Sequence, residues 1–369
     1  MAGLNRKPDV ITRLRLSLLE WYDLNRRDLP WRRTRDPYAI WVSEIMLQQT
    51  RVVAVLDAYA SFLQRFPTVV ELAHAKEQDV LAEWSGLGYY RRARMLHKAA
   101  QFVAEQLGGV IPQSSLELRK LPGVGAYTAA AVASIAYGEP ASVIDGNVKR
   151  VLCRLQGWEA TDSVEEAALA PKIQGLAARL IDSSRPGDFN QALMELGAVV
   201  CTPRNPQCLT CPWTGSCETQ GEHRMPARAR MTSKEVSCAL AVRDIRRRGR
   251  IARELLLEQR PASDTVMPGM WQLPFLVEGV PEHERSMTVR HAIMQVNYVV
   301  HVWIVEEDEV NSLTAAEGER RWVLLDEAGT MALTGLARKV LTRADLLTGK
   351  SSARSMASTG QPHTGLRES

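Results

Sequence analysis

The 369 residues contain no run long and apolar enough to cross a bilayer as a helix. The opening stretch, MAGLNRKPDV, lacks the apolar centre of a secretory signal. Both absences point to the cytoplasm. No internal repeat period is visible. Charge of one sign is not in marked excess: the net value is +4, only mildly basic, and does not by itself imply a nucleic-acid partner. Cysteines are few, six in all, yet four of them fall between 201 and 217. Without a secretory signal, disulfides are not expected, and metal ligation becomes the leading reading of that cluster. What remains is ordinary: 45% hydrophobic and 24% charged residues, in a chain long enough for two or three domains.

The period of the apolar residues divides the chain. From about 10 to 200 they recur at three- and four-residue steps, predicting helices over 11–24, 40–50, 54–65, 77–84, 93–107, 126–137, 147–156, 165–182 and 189–200. Gly and Pro punctuate the gaps. Residues 221–235, GEHRMPARARMTSKE, are basic and lack apolar periodicity, as a linker would. Strand-like stretches follow at 237–245, 253–260, 298–307 and 320–327, with a closing helix at 333–347. The final residues, 349–369, are rich in Ser, Gly and Thr and read as disordered. The expected fold is therefore multidomain, an all-α region followed by a smaller α+β domain.

Cys201, Cys208, Cys211 and Cys217 form a C-x6-C-x2-C-x5-C loop. Spacing alone leaves an iron–sulfur cluster and a four-cysteine zinc site both open. Cys153 and Cys238 sit in apolar surroundings, as buried thiols do. LRKLPGVGAYTAAAVASIAYG, 118–138, reads helix, tight turn, Ala-rich helix. Gly123 and Gly125 let backbone N–H groups face outward at a helix start, where a phosphate can bind. That is the form of a helix-hairpin-helix element, which grips a nucleic-acid backbone without reading bases. Asp145, in VIDGNVKRVLCRL, is placed to cap the next helix. Glu44 stands out within WVSEIMLQQTRV, 41–52, as a carboxylate inside an apolar helix.

The cysteine spacing, the hairpin and Asp145 together resemble the endonuclease III superfamily of DNA glycosylases, and the resemblance favours a [4Fe–4S] cluster over zinc. Arg204, in the loop CTPRNPQC, then resembles a basic finger aimed at DNA phosphate. Endonuclease III-like relatives carry a nucleophilic lysine two residues after the hairpin's last glycine; this chain has Tyr127, so strand cleavage through an imine is not expected. RRDLPWRRTRDPYAIWVSEIMLQQTRV (26–52), GLGYYRRARML (86–96), LPGVGAYT (121–128) and IDGN (144–147) closely resemble the MutY-type adenine DNA glycosylases, over about residues 10–220. The resemblance implies a six-helix barrel over about 32–138 and an iron–sulfur lobe from 1–31 and 139–222. It implies double-stranded DNA containing a mispaired adenine as the partner, and a monomeric, nucleoid-associated enzyme.

Hydrolysis of an N-glycosidic bond requires protonation of the leaving purine and stabilisation of an oxocarbenium-like sugar. An apolar surround suits Glu44 for the acid, because it keeps a proton on the carboxyl near neutral pH; Asp145, in an unlike environment, suits the carboxylate facing the developing cation. By resemblance Tyr127 and Asn147 orient these groups, Gln49 and Tyr89 enter the base stack, and Thr50 and Leu87 touch 8-oxoguanine. Arg91, Arg92 and Arg94, next to Tyr89-Tyr90, read as a basic DNA edge. PGMWQLP (268–274) resembles the Nudix-like domain of the same family, over 236–348 after a linker at 223–235. No Glu-rich metal-binding helix follows it, so pyrophosphate hydrolysis is not expected. The family's Phe-Ser-His loop is replaced within RHAIMQVNY (290–298), where Gln295 remains a hydrogen-bonding candidate. Two other readings stay open: a glycosylase of thymine opposite guanine, and a non-catalytic DNA-binding iron–sulfur redox sensor.

Overall fold

The computed structural model describes residues 9–160, 163–223, 231–247, 249–276, 287–293, 296–313 and 318–347. Gln295, most of the expected linker and the Ser-rich tail lie outside them. The chain divides into two compact units. One holds Met1–Ala75 with Arg92–Arg228, the other Lys76–Arg91 with Ala229–Ser369. The helices of the N-terminal part are α1 (Val10–Asn25), α2 (Pro37–Leu47), α3 (Val52–Arg65), α4 (Val69–His74), α5 (Glu77–Glu83), α6 (Arg91–Gln106), α7 (Ser115–Leu118), α8 (Ala126–Tyr137), α9 (Gly146–Leu155), α10 (Ser163–Leu180) and α11 (Pro186–Val199). Every helix predicted from periodicity is present. Short α4 and α7 carry too few turns to show a period.

Two helices that are apolar on every side form the middle of the first unit. Asp36 starts α2, its carboxylate accepting from the Tyr38 and Ala39 amides, with Pro37 at the first helical position. Nine of the eleven α2 residues are buried. The small side chains of α8 let it pack directly against α2. A second core joins α1, α9, α10 and α11. The cysteine loop is fastened to it by the Trp213 indole, which donates to the Leu14 carbonyl at 2.9 Å.

The early arginines are structural. Glu195, 1% exposed, accepts from Arg27 at 2.6 and 2.7 Å and from Arg32 at 2.8 Å. Arg33 pairs with Asp28, and Arg35 donates to the Ile135 carbonyl. Burial pushes the Glu195 carboxyl upward, but the two guanidiniums prevail and hold it down to about 2. A depressed carboxylate stabilises the fold above its unfolded value of 4.5 and loses that contribution as pH falls toward 2. Glu195→Gln is therefore expected to cost about 3–5 kcal/mol at neutral pH, by leaving two cations without their anion. The deficit should shrink in urea titrations near the lower value.

The second unit is α+β. Its strands are β1 (Thr232–Leu240), β2 (Val242–Arg247), β3 (Arg250–Gln259), β4 (Trp271–Gln272), β5 (Met287–Ile293), β6 (Val296–Ile304) and β7 (Arg320–Leu324), with α12 (Val310–Leu313), α13 (Leu325–Ala328) and α14 (Gly335–Arg343). One sheet runs β1-β6-β5, with β1 parallel to β6; in the other, β3 pairs with β2, β4 and β7. Val289, Val300, Leu255, Leu257 and Val323 turn inward onto Leu336, Val340 and Leu341 of α14. β1 begins at Thr232, inside the stretch read as linker. Of RHAIMQVNY, residues 290–293 lie in β5 and 296–298 in β6, so Arg290, His291 and Tyr298 belong to paired strands.

Candidate active site

Glu44 is on the next-to-last turn of α2, 5% exposed, and its Oε2 accepts from the Tyr127 hydroxyl at 2.8 Å. Tyr127 reaches it from the first turn of α8, so the contact follows from the α2–α8 packing. The same hydroxyl lies 3.4 Å from Met194 Sδ. Burial, with the nearby negative charge of Asp145, raises the Glu44 carboxyl to about 7, against the lowering by Tyr127 and Arg32. Burial with Glu44 and Asp145 raises the Tyr127 phenol well above its usual range, so it stays a donor.

Asp145 caps α9: Oδ1 accepts from the Val148 amide at 2.7 Å. Its Oδ2 accepts from Asn147 Nδ2 at 3.2 Å. Burial raises its carboxyl above the ordinary value, against these hydrogen bonds and Arg150. Glu44, Tyr127, Asp145 and Asn147, drawn from three helices, thus converge on one partly buried polar cluster. Behind it, Arg150 Nη2 donates to Asn147 Oδ1 at 2.9 Å and its Nε to the Cys201 carbonyl at 2.9 Å. A hydrogen-bonded path therefore runs from Asp145 to the cysteine loop.

α2 ends at Leu47, three residues short of the predicted helix, so Gln48, Gln49 and Thr50 form the turn after it. Gln49 is exposed with φ 54°, a left-handed conformation costing about 1–3 kcal/mol for a non-glycine residue. Arg92 makes this turn. Its Nη1 donates to the carbonyls of Ile45, Met46 and Gln48, the unpaired end of α2, and its Nη2 to Thr50 Oγ1 at 3.0 Å. Arg92 is therefore not part of a DNA-facing basic edge, as the sequence suggested. Arg92 and Met194 were not anticipated as site residues, because their partners lie 42 to 67 positions away; Arg150 was missed although Asn147 is only 3 positions from it, since its link to Cys201 spans 51.

Tyr89, also left-handed at φ 46°, is 47% exposed, whereas Tyr90 is 3% exposed and packs inside. Leu87 is 6% exposed, so its side chain is largely withdrawn from solvent. Both Tyr89 and Leu87 belong to the second unit. In the hairpin, Gly123 has φ 73°, and a Cβ there would meet Met95 Cβ at 2.5 Å. Gly125, the α8 N-cap, has an ordinary φ, and a Cβ there would meet nothing within 4 Å.

Cys201, Cys208, Cys211 and Cys217 line one hollow with Arg154 and Pro206. Four thiols around a shared hollow suit a larger, polynuclear group. Arg154, 2% exposed, donates to Cys201 Sγ at 3.4 Å and to the Thr202 and Pro203 carbonyls. Those bonds turn the loop backbone inward and leave Arg204 exposed at its tip.

Known proteins match this arrangement. Residues 42–172 match the HhH-GPD superfamily of base excision DNA repair proteins, and 201–217 match the iron-sulfur binding domain of endonuclease III. The latter match spans all four cysteines and indicates a [4Fe–4S] cluster. A human adenine DNA glycosylase is 35% identical over 406 aligned residues, covering 89% of this chain and 73% of that protein. A rat adenine DNA glycosylase is 47% identical over 59% of this chain, which spans 44% of its length. A solved structure described as a thermostable thymine-DNA glycosylase has a TM-score of 0.52 at 30% identity, covering 57% of this chain and 96% of that one. With hairpin, capping aspartate, buried glutamate and cysteine loop all in place, and a relative of this identity aligned over most of both chains, the chain belongs to the adenine DNA glycosylase family.

Proposed function

We propose that this enzyme hydrolyses the N-glycosidic bond of adenine mispaired with 8-oxoguanine or guanine, as a monofunctional glycosylase. The observation carrying this reading is the buried Glu44, raised to about 7 beside Asp145. Near neutral pH it still carries a proton, which a leaving purine requires. Glu44 passes that proton to a ring nitrogen of adenine as the bond from C1′ breaks. Asp145, as carboxylate, faces the positive charge that develops on the sugar. A water molecule completes C1′ and gives up its proton to the carboxylate that Glu44 has become. Tyr127 orients Glu44, and Asn147 orients Asp145. No lysine occupies position 127, which supports hydrolysis without an imine.

Adenine must leave the stack to reach this cluster. The exposed, left-handed Gln49 and Tyr89 suit the wedge role, and Arg92 holds Thr50 for the opposite base. The cluster loop offers Arg204 to phosphate, and bound [4Fe–4S] would hold that loop through its four cysteines. PGMWQLP supports a Nudix-like C-terminal unit that reads the opposite base, with Gln295 as one contact. The enzyme acts as a monomer on duplex DNA in the nucleoid.

The open space beside Gly125 supports contact with a DNA backbone. Gly125→Ala is expected to change stability by less than about 1 kcal/mol yet weaken duplex binding about tenfold. Gly123→Ala is expected to destabilise the fold by about 1–3 kcal/mol, through its left-handed φ and the overlap with Met95. Urea unfolding and binding titrations separate the two.

Base release from duplexes bearing adenine opposite 8-oxoguanine, adenine opposite guanine and thymine opposite guanine tests the assignment. Adenine should be released, fastest opposite 8-oxoguanine, with no covalent product trapped by borohydride. Release of thymine alone, or no release of any base, would overturn it.

A further inference from the structure

The segment Lys76–Arg91 groups with the C-terminal strands, not with the helices that flank it in sequence. Side-chain hydrogen bonds spanning most of the chain's length hold it there. The buried Tyr90 hydroxyl donates to the Leu333 carbonyl at 3.2 Å. Arg338, on α14, donates from Nε to Ser85 Oγ at 2.7 Å and from Nη2 to the Gly329 carbonyl at 3.2 Å. Ser85 is 3% exposed and Leu333 fully buried. At the start of α5, Gln78 donates to the Gly269 carbonyl at 3.3 Å.

Between the anchors at Ser85 and Tyr90 the backbone is left-handed at Gly86, Gly88 and Tyr89. The Trp84 indole donates to the Gly88 carbonyl at 3.2 Å, closing the turn. An exposed aromatic in an unfavoured conformation thus sits between two buried anchors. Such a conformation persists only where its surroundings over-determine it. Here those surroundings are the α+β unit, which lies about 250 residues further along the chain.

We propose that Arg338 and Tyr90 are positioning residues for base extrusion: they fasten both ends of the 85–90 turn to the C-terminal unit and so hold Tyr89 ready to enter the duplex. This rests on the proposed excision of adenine from a base pair. It gives the C-terminal unit a task separate from reading the opposite base. A turn ordered in advance does not have to be ordered when DNA binds.

The test uses the full-length protein with Arg338→Met, which keeps the apolar stem, and Tyr90→Phe, which removes only the hydroxyl. Amide hydrogen exchange in the 84–91 region should quicken about five- to tenfold in each, with β3 unchanged. Single-turnover release of adenine opposite 8-oxoguanine should fall about five- to tenfold. Adenine opposite an abasic analogue is already unpaired and costs little to extrude, so its release should fall less than about twofold. Unchanged exchange in both variants would overturn the proposal. So would equal losses on the two substrates, or quickened exchange with no loss of release. If the unmodified protein releases no adenine at all, the functional reading fails instead, and exchange alone still decides whether the anchors order the turn.

Discussion

Glu44→Gln is expected to lower adenine release by about 10²- to 10⁴-fold while duplex affinity stays near that of the unmodified enzyme. The amide has nearly the shape of the acid and can still accept from Tyr127, so the α2–α8 contact survives. What it lacks is an acidic proton. The same substitution carries a stability signature. The Glu44 carboxyl is raised from 4.5 to about 7 on folding, so the folded state favours the protonated form. Its contribution is fully present below 4.5 and is lost as pH rises through 7. Above that, ionised Glu44 costs up to about 3 kcal/mol, which glutamine does not incur. Glu44→Gln should therefore be the more stable protein at about pH 8, with the advantage fading toward about pH 4. Denaturant unfolding at the two pH values measures it. An inactive variant with that stability pattern identifies a buried acid; an inactive variant less stable at both values indicates damaged packing.

Asp145→Asn is expected to cost about 10²- to 10³-fold in excision with little change in stability. Asparagine caps helices as well as aspartate does, so α9 keeps its start and the Val148 amide keeps its acceptor. The negative charge facing the sugar is gone. A second effect follows from the coupling of the two carboxyls. The Asp145 charge is among the causes that raise Glu44, so its removal should move the Glu44 titration to lower pH. Residual activity of Asp145→Asn should then decline at lower pH than that of the unmodified enzyme. Full activity would remove Asp145 from the chemistry, and a simple loss of folding would make it a cap alone.

Much of this site was legible because its signals are local. Asp145 is a cap that any helix-start reading finds, the cysteines are closely spaced in sequence, and Tyr127 follows directly from the hairpin. Glu44 was legible as an anomaly, one carboxylate in an apolar helix, although its proton depends on how tightly α8 covers it. Residues whose roles depend on distant partners were not legible. Arg92 read as one cation in a basic stretch, yet it completes the end of α2. Arg27 and Arg32 likewise lie in a basic stretch whose sequence does not reveal the carboxylate they share, Glu195. The end of α2 was overestimated because Gln48, Gln49 and Thr50 fit a helix; the guanidinium of Arg92 and the left-handed Gln49 stop it at Leu47. Tyr89 and Tyr90 are adjacent and chemically identical, so no periodicity separates the exposed one from the buried one; only the family resemblance singled out Tyr89. The membership of Lys76–Arg91 in the C-terminal unit left no trace in periodicity, since it is written in bonds that Tyr90 and Ser85 make with Leu333 and Arg338, far along the chain.

The most direct test of the account is the single-turnover rate of adenine release opposite 8-oxoguanine, followed from about pH 5 to about pH 9. A buried Glu44 acting as the acid predicts a rate that falls on the alkaline side with an apparent pKa near 7. A rate flat to the alkaline end would contradict it, because a proton that Glu44 no longer carries could not be the one that adenine receives.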